Sequence, residues 1–194
     1  MKRTLAAALL LASCSALAGG DFLRITPPLA VQSKKLELVE FFYYGCPQCD
    51  ALEPFLNDWA SHHPEVDLVR VPAFKRAWLP LARAYYALAA LDQEARLRSR
   101  IFEAIHDEGI DLDDEATLFD WLKGQGVDMA RFKMLYHSID VARKVRDAAR
   151  MADRIGITGV PSLVVDGKYI VQGDLARGQL LDELMDMAWQ ARKQ

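Results

Sequence analysis

The feature that most limits the possible folds is an apolar run that leads through a glycine into a cysteine pair and a helix. The run Leu36 to Tyr43 (LELVEFFY) lies between two lysines and Gly45 and is typical of a strand that is covered on both faces. Asp50 to Ser61 has helix length with apolar residues on one side, and Val66 to Val71 (VDLVRV) alternates like a second strand. Strand, helix and strand at this spacing predict a βαβ unit with a right-handed crossover.

The next part of the chain has helical periodicity only. From about Trp78 to Ile155, apolar residues recur three and four positions apart. Asp128 is placed to cap one of these helices, and Gly156 is placed to end the last. The pattern predicts a helical block of about 80 residues, which is large enough to form a subdomain of its own.

Strand patterns return after the helical block. Ser162 to Val165 and Tyr169 to Val171 flank Asp166-Gly167, which predicts a hairpin with a tight turn. Gln179 to Ala191 follows as an amphipathic helix.

The order βαβ, helices, ββα predicts an α/β fold in which the first and last parts complete one sheet around an inserted helical block. We therefore assign residues 19–74 and 156–194 to an α/β domain and residues 75–155 to an inserted helical domain.

The first eighteen residues form a pattern of their own. Lys2 and Arg3 precede the uncharged stretch Thr4 to Ala12, and Ala16-Leu17-Ala18 offers small residues for cleavage before residue 19. This pattern predicts a secretory signal over residues 1–18. Leu11-Ala12-Ser13-Cys14 also resembles a lipobox, in which Cys14 would be acylated and become the N-terminus. Both interpretations export the chain to an oxidising compartment.

Composition narrows the classes of function. The 194 residues have a formal net charge of −3, so no excess of positive charge exists to neutralise phosphates, and we expect no nucleic-acid partner. Three cysteines are too few for a disulfide framework but enough for one redox or metal pair and one further cysteine.

Cys46-Pro47-Gln48-Cys49 is the strongest chemical pattern in the chain. It opens the first helix, where unpaired N–H groups and the helix dipole favour a thiolate on Cys46. Pro47 suits the first helical position because it has no N–H to leave unpaired. Two intervening residues put both thiols within one turn, so Cys49 can attack a mixed disulfide on Cys46. We expect Cys46 to be the exposed, attacking sulfur and Cys49 to be the buried, resolving one.

Two alternatives for this pair involve no redox chemistry, namely an inert structural disulfide and half of a zinc site. A structural zinc site usually has a second pair of ligands at matching spacing, and the only nearby pair, His62-His63, is adjacent in sequence. An acidic cluster after Gly109 lacks the calcium-loop pattern and suits a helix N-terminus better; it comprises Asp111, Asp113, Asp114 and Glu115. We predict no metal and no cofactor.

Glu40 interrupts the apolar strand six residues before Cys46. A carboxylate at a buried position is costly, so its presence indicates a role. Burial would raise its pKa and make it a proton acceptor for Cys49. The alternative is that Glu40 points away from a sheet edge into solvent.

The segment from Glu40 to Cys49 (EFFYYGCPQC) resembles the active-site segment of DsbA-type periplasmic thiol:disulfide oxidoreductases, and Gly159-Val160-Pro161-Ser162 is similar to their cis-proline loop. The resemblance covers nearly the whole chain after residue 18. It implies a thioredoxin fold with the family's inserted helical domain and a periplasmic location. It also implies a nucleophilic Cys46, a resolving Cys49, a buried acid at Glu40 and a cis peptide bond at Pro161.

The resemblance carries expectations about substrates and partners. Substrates would be reduced secreted proteins, held as extended segments against Val160 and Gly159, and a quinone-linked, DsbB-like membrane protein would reoxidise the cysteine pair. We expect a monomer. Gln48 stands where the best-known members carry His, and its neutral amide should stabilise the thiolate less. We therefore expect a weaker oxidant.

Two other functions remain open from sequence. One is a reductase or isomerase of the same fold, although the roughly fifteen residues before the first strand leave no room for the dimerisation domain usual in such isomerases. The other is a binding or chaperone module in which the cysteine pair is incidental.

Overall fold

The computed structural model describes residues 21–31, 33–73, 75–172 and 174–193. The predicted signal over residues 1–18, with Cys14, lies outside these ranges. Among the described helices, none has the length and apolar composition needed to span a bilayer. The elements, in chain order, are β1 (Phe22–Arg24), β2 (Leu36–Phe42), α1 (Pro47–His62), β3 (Val66–Pro72), a 3₁₀ turn (Arg76–Trp78), α2 (Leu79–Ala89), α3 (Glu94–His106), α4 (Glu115–Gly124), α5 (Met129–Tyr136), α6 (Ile139–Ile155), β4 (Ser162–Val165), β5 (Tyr169–Val171) and α7 (Gly178–Arg192).

The five described strands form one mixed sheet in the order β1-β5-β4-β2-β3. β2 and β3 are parallel, as the βαβ prediction requires, and the other neighbours are antiparallel. The predicted α/β fold with inserted helices is therefore confirmed. β1 was not predicted, because three residues are too few to show alternation and the pairing with β5 defines this strand.

Successive side chains of β2 point to opposite faces of the sheet, and this determines which of them lie under α1. Leu36 and Leu38 point to the face covered by α1 and α7, whereas Val39 and Phe41 point to the face covered by α6. Glu40 is in register with Leu36 and Leu38, so the pleat directs it under α1.

The helical block packs its own core against the end of β2. That core includes Phe42, Tyr44 and both described cysteines together with apolar residues of α2 to α5. Caps fix the helix ends as expected: Asp128 accepts hydrogen bonds at the start of α5, and Gly156 ends α6 in the left-handed conformation at φ 77°. The domain boundaries at residues 75 and 155 stay a prediction.

Candidate active site

The cysteine pair lies where β2 runs into α1. Cys46 is the N-cap of α1 in an extended conformation, and Pro47 occupies the first turn. The Cys46 amide donates to the Tyr43 carbonyl at 3.0 Å, which closes a tight turn between strand and helix. A Cβ at Gly45 would lie 2.6 Å from the Tyr43 ring, so a larger residue in this turn would force that ring to move. The motif opens the helix as predicted.

The two sulfurs differ in exposure, but less than the sequence suggested. Cys49 is fully buried, and Cys46 keeps only 9% of its surface exposed. Both are free thiols. The expectation of an exposed Cys46 is therefore wrong in degree. Two neighbours cover its thiol: Gln48 Oε1 accepts from Sγ at 3.3 Å, and the Val160 carbonyl oxygen accepts at 3.5 Å.

The Val160 carbonyl reaches Cys46 from the far end of the chain. The Val160–Pro161 peptide is cis and directly precedes β4, which pairs with β2. Sheet pairing thus brings this loop to the cysteine pair across more than one hundred residues. Val160 and Pro161 are half-buried, and Gly159 is exposed. The structure places the predicted loop residues beside the cysteine pair.

Glu40 is fully buried within a central strand, so its placement at a solvated sheet edge is wrong. Its Oε2 lies 3.3 Å from Arg70 Nε and 3.2 Å from Arg98 Nη2, whereas Oε1 has no hydrogen-bond partner among the described residues. Burial raises the pKa of Glu40 to about 7, and the charge of Arg98 opposes that rise. The carboxyl can therefore take up or release a proton near neutral pH.

A second acid shares the same two arginines. Glu53 lies one helical turn beyond Cys49, and its Oε1 is 2.8 Å from both Arg98 Nε and Arg70 Nη2. Burial alone would raise the pKa of Glu53, but the contacts with Arg98 and Arg70 outweigh it and leave the pKa lowered. Glu53 thus stays ionised while Glu40 titrates.

Arg98 comes from the helical block and is 4% exposed. Its guanidinium carbon lies 4.1 Å from the centroid of the Phe42 ring, and Nη1 contacts Glu94 at 3.3 Å. Burial would lower the pKa of Arg98, but the contacts with Glu53 and Glu40 outweigh it and raise the pKa. An inserted helix therefore supplies a permanent charge to the acid beneath α1.

Sequence reasoning missed Glu53, Arg70 and Arg98. Helical spacing offered a clue to two of them. Glu53 is four residues after Cys49 on the buried face of α1, and Arg98 is four residues before the buried Phe102. Charged residues at those positions must be buried or lie at the edge of an apolar stripe.

Cys49 is held as a neutral thiol. Burial raises its pKa, and the charges of Cys46 and Glu40 raise it further. Only a thiolate attacks a disulfide efficiently, so Cys49 needs a base before it can attack and an acid when it leaves. Glu40 is near enough to influence the pKa of Cys49 by its charge, and it titrates in the useful range.

An aromatic wall stands on one side of the cysteine pair. The Tyr43 ring stacks on Trp78 with centroids 4.3 Å apart and planes 11° from parallel. The Tyr43 hydroxyl donates to Asp113. The assignment of the whole acidic cluster to a helix N-terminus is thus wrong for Asp113, because Asp114 is the residue that caps α4.

A groove of about 440 Å³ lies on the other side of the pair, between α1 and the segment after β5. Gln48, Leu52, Pro161 and Leu175 contribute to its lining. Within the described residues, no three His, Cys, Asp or Glu side chains cluster in a way that could hold a metal ion. His63 instead stacks on Trp59 and lies 3.2 Å from Asp182.

Comparison with known proteins agrees with this geometry. The family described as a DSBA-like thioredoxin domain matches residues 56–185, a range that begins seven residues after Cys49. The thiol:disulfide interchange protein DsbA of Bordetella pertussis is 38% identical over 159 residues, which cover 80% of this chain and 76% of that protein. The Pseudomonas aeruginosa protein of the same name is 36% identical over 155 residues, covering 78% of this chain and 74% of the relative.

Solved structures give the same result. The crystal structure of Pseudomonas aeruginosa DsbA superposes with a TM-score of 0.83 at 33% identity, covering 91% of this chain and 96% of the other. The oxidoreductase NmDsbA1 from Neisseria meningitidis has a TM-score of 0.80 at 27% identity, with 92% and 96% covered.

Proposed function

Because the chain belongs to the DsbA-like thioredoxin-domain family and is a thiol:disulfide oxidoreductase, we propose that it works as an oxidase, donating a Cys46–Cys49 disulfide to reduced secreted proteins. The observation that carries this proposal is the asymmetry of the pair: Cys46 caps the helix beside the Val160 carbonyl, and Cys49 is sealed beneath it. Of the two residues, only Cys46 keeps any exposed surface at which a substrate thiolate could approach.

The first step is attack by a substrate thiolate on Cys46 Sγ. The Cys46–Cys49 bond breaks, a mixed disulfide forms on Cys46, and Cys49 leaves with the electron pair. Burial raises the pKa of Cys49, so the departing sulfur needs a proton, and Glu40, with a pKa of about 7, donates it. In the reverse direction the Glu40 carboxylate takes that proton back.

A second substrate thiolate then attacks the substrate sulfur of the mixed disulfide. Cys46 leaves as a thiolate at the positive end of the α1 dipole, which favours negative charge there. The substrate has lost two electrons and two thiol protons and gained a disulfide. The enzyme has gained both electrons and one proton, which is on Cys49, while Cys46 remains a thiolate. The other proton goes to solvent, and Glu40 regains from solvent the proton that it donated. Pro47 and Gln48 shape the turn that presents Cys46, and Gln48 supplies a neutral polar contact to its sulfur.

The loop Gly159-Val160-Pro161 is the proposed platform for substrate backbone. An extended segment can bind beside Val160 in the manner of an added strand, because this loop leads directly into β4. That placement sets the substrate sulfur against Cys46 without requiring a particular side-chain sequence.

Location and partners complete the proposal. Residues 1–18 would direct export to the periplasm, with anchoring through Cys14 as the alternative form. A quinone-linked, DsbB-like membrane protein would reoxidise the reduced pair, and the enzyme would act as a monomer. The family resemblance supports these points, as do relatives named thiol:disulfide interchange protein.

The direction of exchange is tested by two assays on the same preparation. We expect the oxidised protein to restore activity to a reduced, unfolded secreted enzyme, and the reduced protein to be a poor catalyst of insulin reduction. Efficient insulin reduction with no oxidative refolding would instead identify a reductase.

The proposed roles of the two cysteines are tested by trapping. A Cys49→Ala variant should accumulate mixed disulfides with reduced substrates, because nothing resolves them, whereas Cys46→Ala should accumulate none. Full complementation by Cys46→Ala would favour a binding or chaperone module.

A further inference from the structure

The cavities on the two sides of the cis-proline loop differ in chemistry. The groove on the Pro161 side has a largely apolar lining around Leu52 and Leu175. On the other side, a small cavity of about 60 Å³ is lined by Gly159, Val160, Trp78 and Lys75. A polypeptide that crosses Val160 therefore meets different surfaces before and after its reactive cysteine.

A larger cavity lies next to the small one along α6, and Ala149 and Asp153 contribute to the lining of both. The larger cavity, of about 380 Å³ between α2 and α6, has an apolar floor that includes Leu79 and Val145. We call the two adjacent cavities together the α2–α6 track.

Cations dominate the track. Lys75 lies 4.6 Å from the centroid of the Trp78 ring at the inner end, and Arg83, Arg146 and Arg150 line the outer cavity. Within the described residues, Lys75, Arg83 and Arg146 form no ion pair. Arg150 has one long contact, 3.8 Å from Asp147. The Nε of Arg83 is buried and has no hydrogen-bond partner there. Among the described residues that line the two cavities, Asp153 is the single carboxylate.

This surplus stands out against the rest of the chain. The whole chain has a formal net charge of −3, yet four cations and one carboxylate line a surface that begins beside the active-site loop. Charge complementarity of this kind favours acidic partners and speeds their encounter. Trp78 and the apolar floor add surface that the aliphatic parts of a partner's side chains can contact.

We propose that the α2–α6 track binds acidic residues on one side of the reactive cysteine of a reduced substrate polypeptide. The apolar groove takes the segment on the other side. This specificity rests on the proposed oxidase function, since it assumes that a substrate lies across Val160.

The experiment uses reduced dithiol peptides that differ in one short block. The block is Asp-Asp-Asp, Asn-Asn-Asn or Lys-Lys-Lys, placed either before or after the attacking cysteine. With the oxidised full-length protein at low salt, we expect an acidic block on one side to raise the oxidation rate about three- to tenfold over the neutral peptide. The same block on the other side should have little effect, and high salt should abolish the difference.

A charge-reversal variant locates the effect. Arg146→Glu with Arg150→Glu should remove or invert the preference for acidic peptides and leave oxidation of the neutral peptide unchanged. The matched control is Lys123→Glu with Arg131→Glu, which changes the net charge equally at exposed positions outside both cavities and should keep the preference.

The possible failures are distinguishable. Failure to oxidise even the neutral peptide would overturn the proposed function. Oxidation of all peptides at equal rates would overturn the track alone. An acidic preference of equal size on both sides of the cysteine, or its loss in the control variant, would indicate long-range steering and would also overturn the track.

Discussion

Two buried carboxylates, one at each end of the central strands, show how similar groups come to do different work. Asp166 lies in the β4–β5 turn near the start of β2, with its amide donating to the Glu37 carbonyl at 2.7 Å. Arg192 and Lys168 bind it so that both of its oxygens have partners. Glu40, near the other end of β2, also faces two cations, but both contact Oε2 and leave Oε1 without a partner.

Both carboxylates are buried, so burial alone does not separate a structural acid from a reactive one, and the two differ in how the neighbouring cations reach their oxygens. A carboxylate with both oxygens paired holds chain segments together, as Asp166 does for the hairpin turn and α7. Burial raises the pKa of Glu40 to about 7 against the opposing charges of Arg98 and Arg70, so this carboxyl can exchange a proton with the buried thiol of Cys49.

The largest expected effect is a loss of stability when Asp166, the structural carboxylate, is replaced. Asp166→Asn removes the carboxylate that Arg192 and Lys168 both contact, and we expect the free energy of unfolding to fall by about 2–4 kcal/mol. The charge of Glu37 still acts on Arg192, and both cations are partly exposed to water, which keeps the loss below that of a fully sealed pair. Urea unfolding measures the loss. The oxidation rate per folded molecule should not change, and a tenfold fall in that rate would contradict a purely structural role for Asp166.

Glu40→Gln should increase the free energy of unfolding rather than decrease it, and the size of the increase should depend on pH. The folded-state pKa of Glu40, about 7, lies above the ordinary value of 4.5, so its contribution to stability is complete below pH 4.5 and is lost as pH rises through 7. At about 1.4 kcal/mol per pKa unit, Gln should stabilise the protein by about 3 kcal/mol at pH 8 and hardly at all at pH 4.

Unfolding titrations of wild type and variant at those two pH values test this prediction. An equal stability difference at both would show that Glu40 does not titrate as described. In the variant, Cys49 should also leave and resolve mixed disulfides on Cys46 more slowly, because the acid-base group is gone.

Arg98 connects the helical block to the pKa of Glu40. Its charge is the main influence that lowers the pKa of Glu40, so Arg98→Met should raise that pKa further, by about one unit or about 1.4 kcal/mol. Arg98→Lys keeps the charge and should restore most of the original value. Titration of the Glu40 carboxyl by carbon NMR measures the shift. An unchanged Glu40 pKa in Arg98→Met would show that the charge from the helical block does not influence this acid.

Gln48→His is expected to have the smallest effect. An imidazole beside Cys46 adds a donor or a positive charge, which stabilises the thiolate and should raise the reduction potential by tens of millivolts, where 30 mV is about 1.4 kcal/mol. Equilibration with glutathione measures it, and Gln179→His, exposed on α7, is the control. A fall or no change would contradict the expected role of the side chain at position 48.

Local patterns predicted much of this architecture. The apolar run of β2, the turn chemistry at Asp166-Gly167 and the caps at Asp128 and Gly156 each act within a few residues, so they can be recognised without a fold. The motif at Cys46, with a proline at the first helical position, likewise predicted where the helix begins.

What sequence could not provide is pairing between distant segments. Nothing local marks Arg70 as a partner of Glu40, and the spacing that marks Arg98 as a buried-face residue does not show which acid it meets. Likewise, β1 exists because β5 lies beside it. The cover over Cys46 comes from Val160, which lies 114 residues away in the chain. For this reason the burial of Cys46 was underestimated even though its place was correct.

The most direct test of the account is selective alkylation of the reduced protein near pH 6 with a small reagent, followed by mass mapping of the modified residues. We predict fast modification of Cys46 and protection of Cys49, because one sulfur stands at the head of the helix and the other is sealed and held as a thiol. Unfolding in urea should make the two cysteines react alike. Slow modification of Cys46 in the folded protein, or equal modification of both cysteines, would contradict the account.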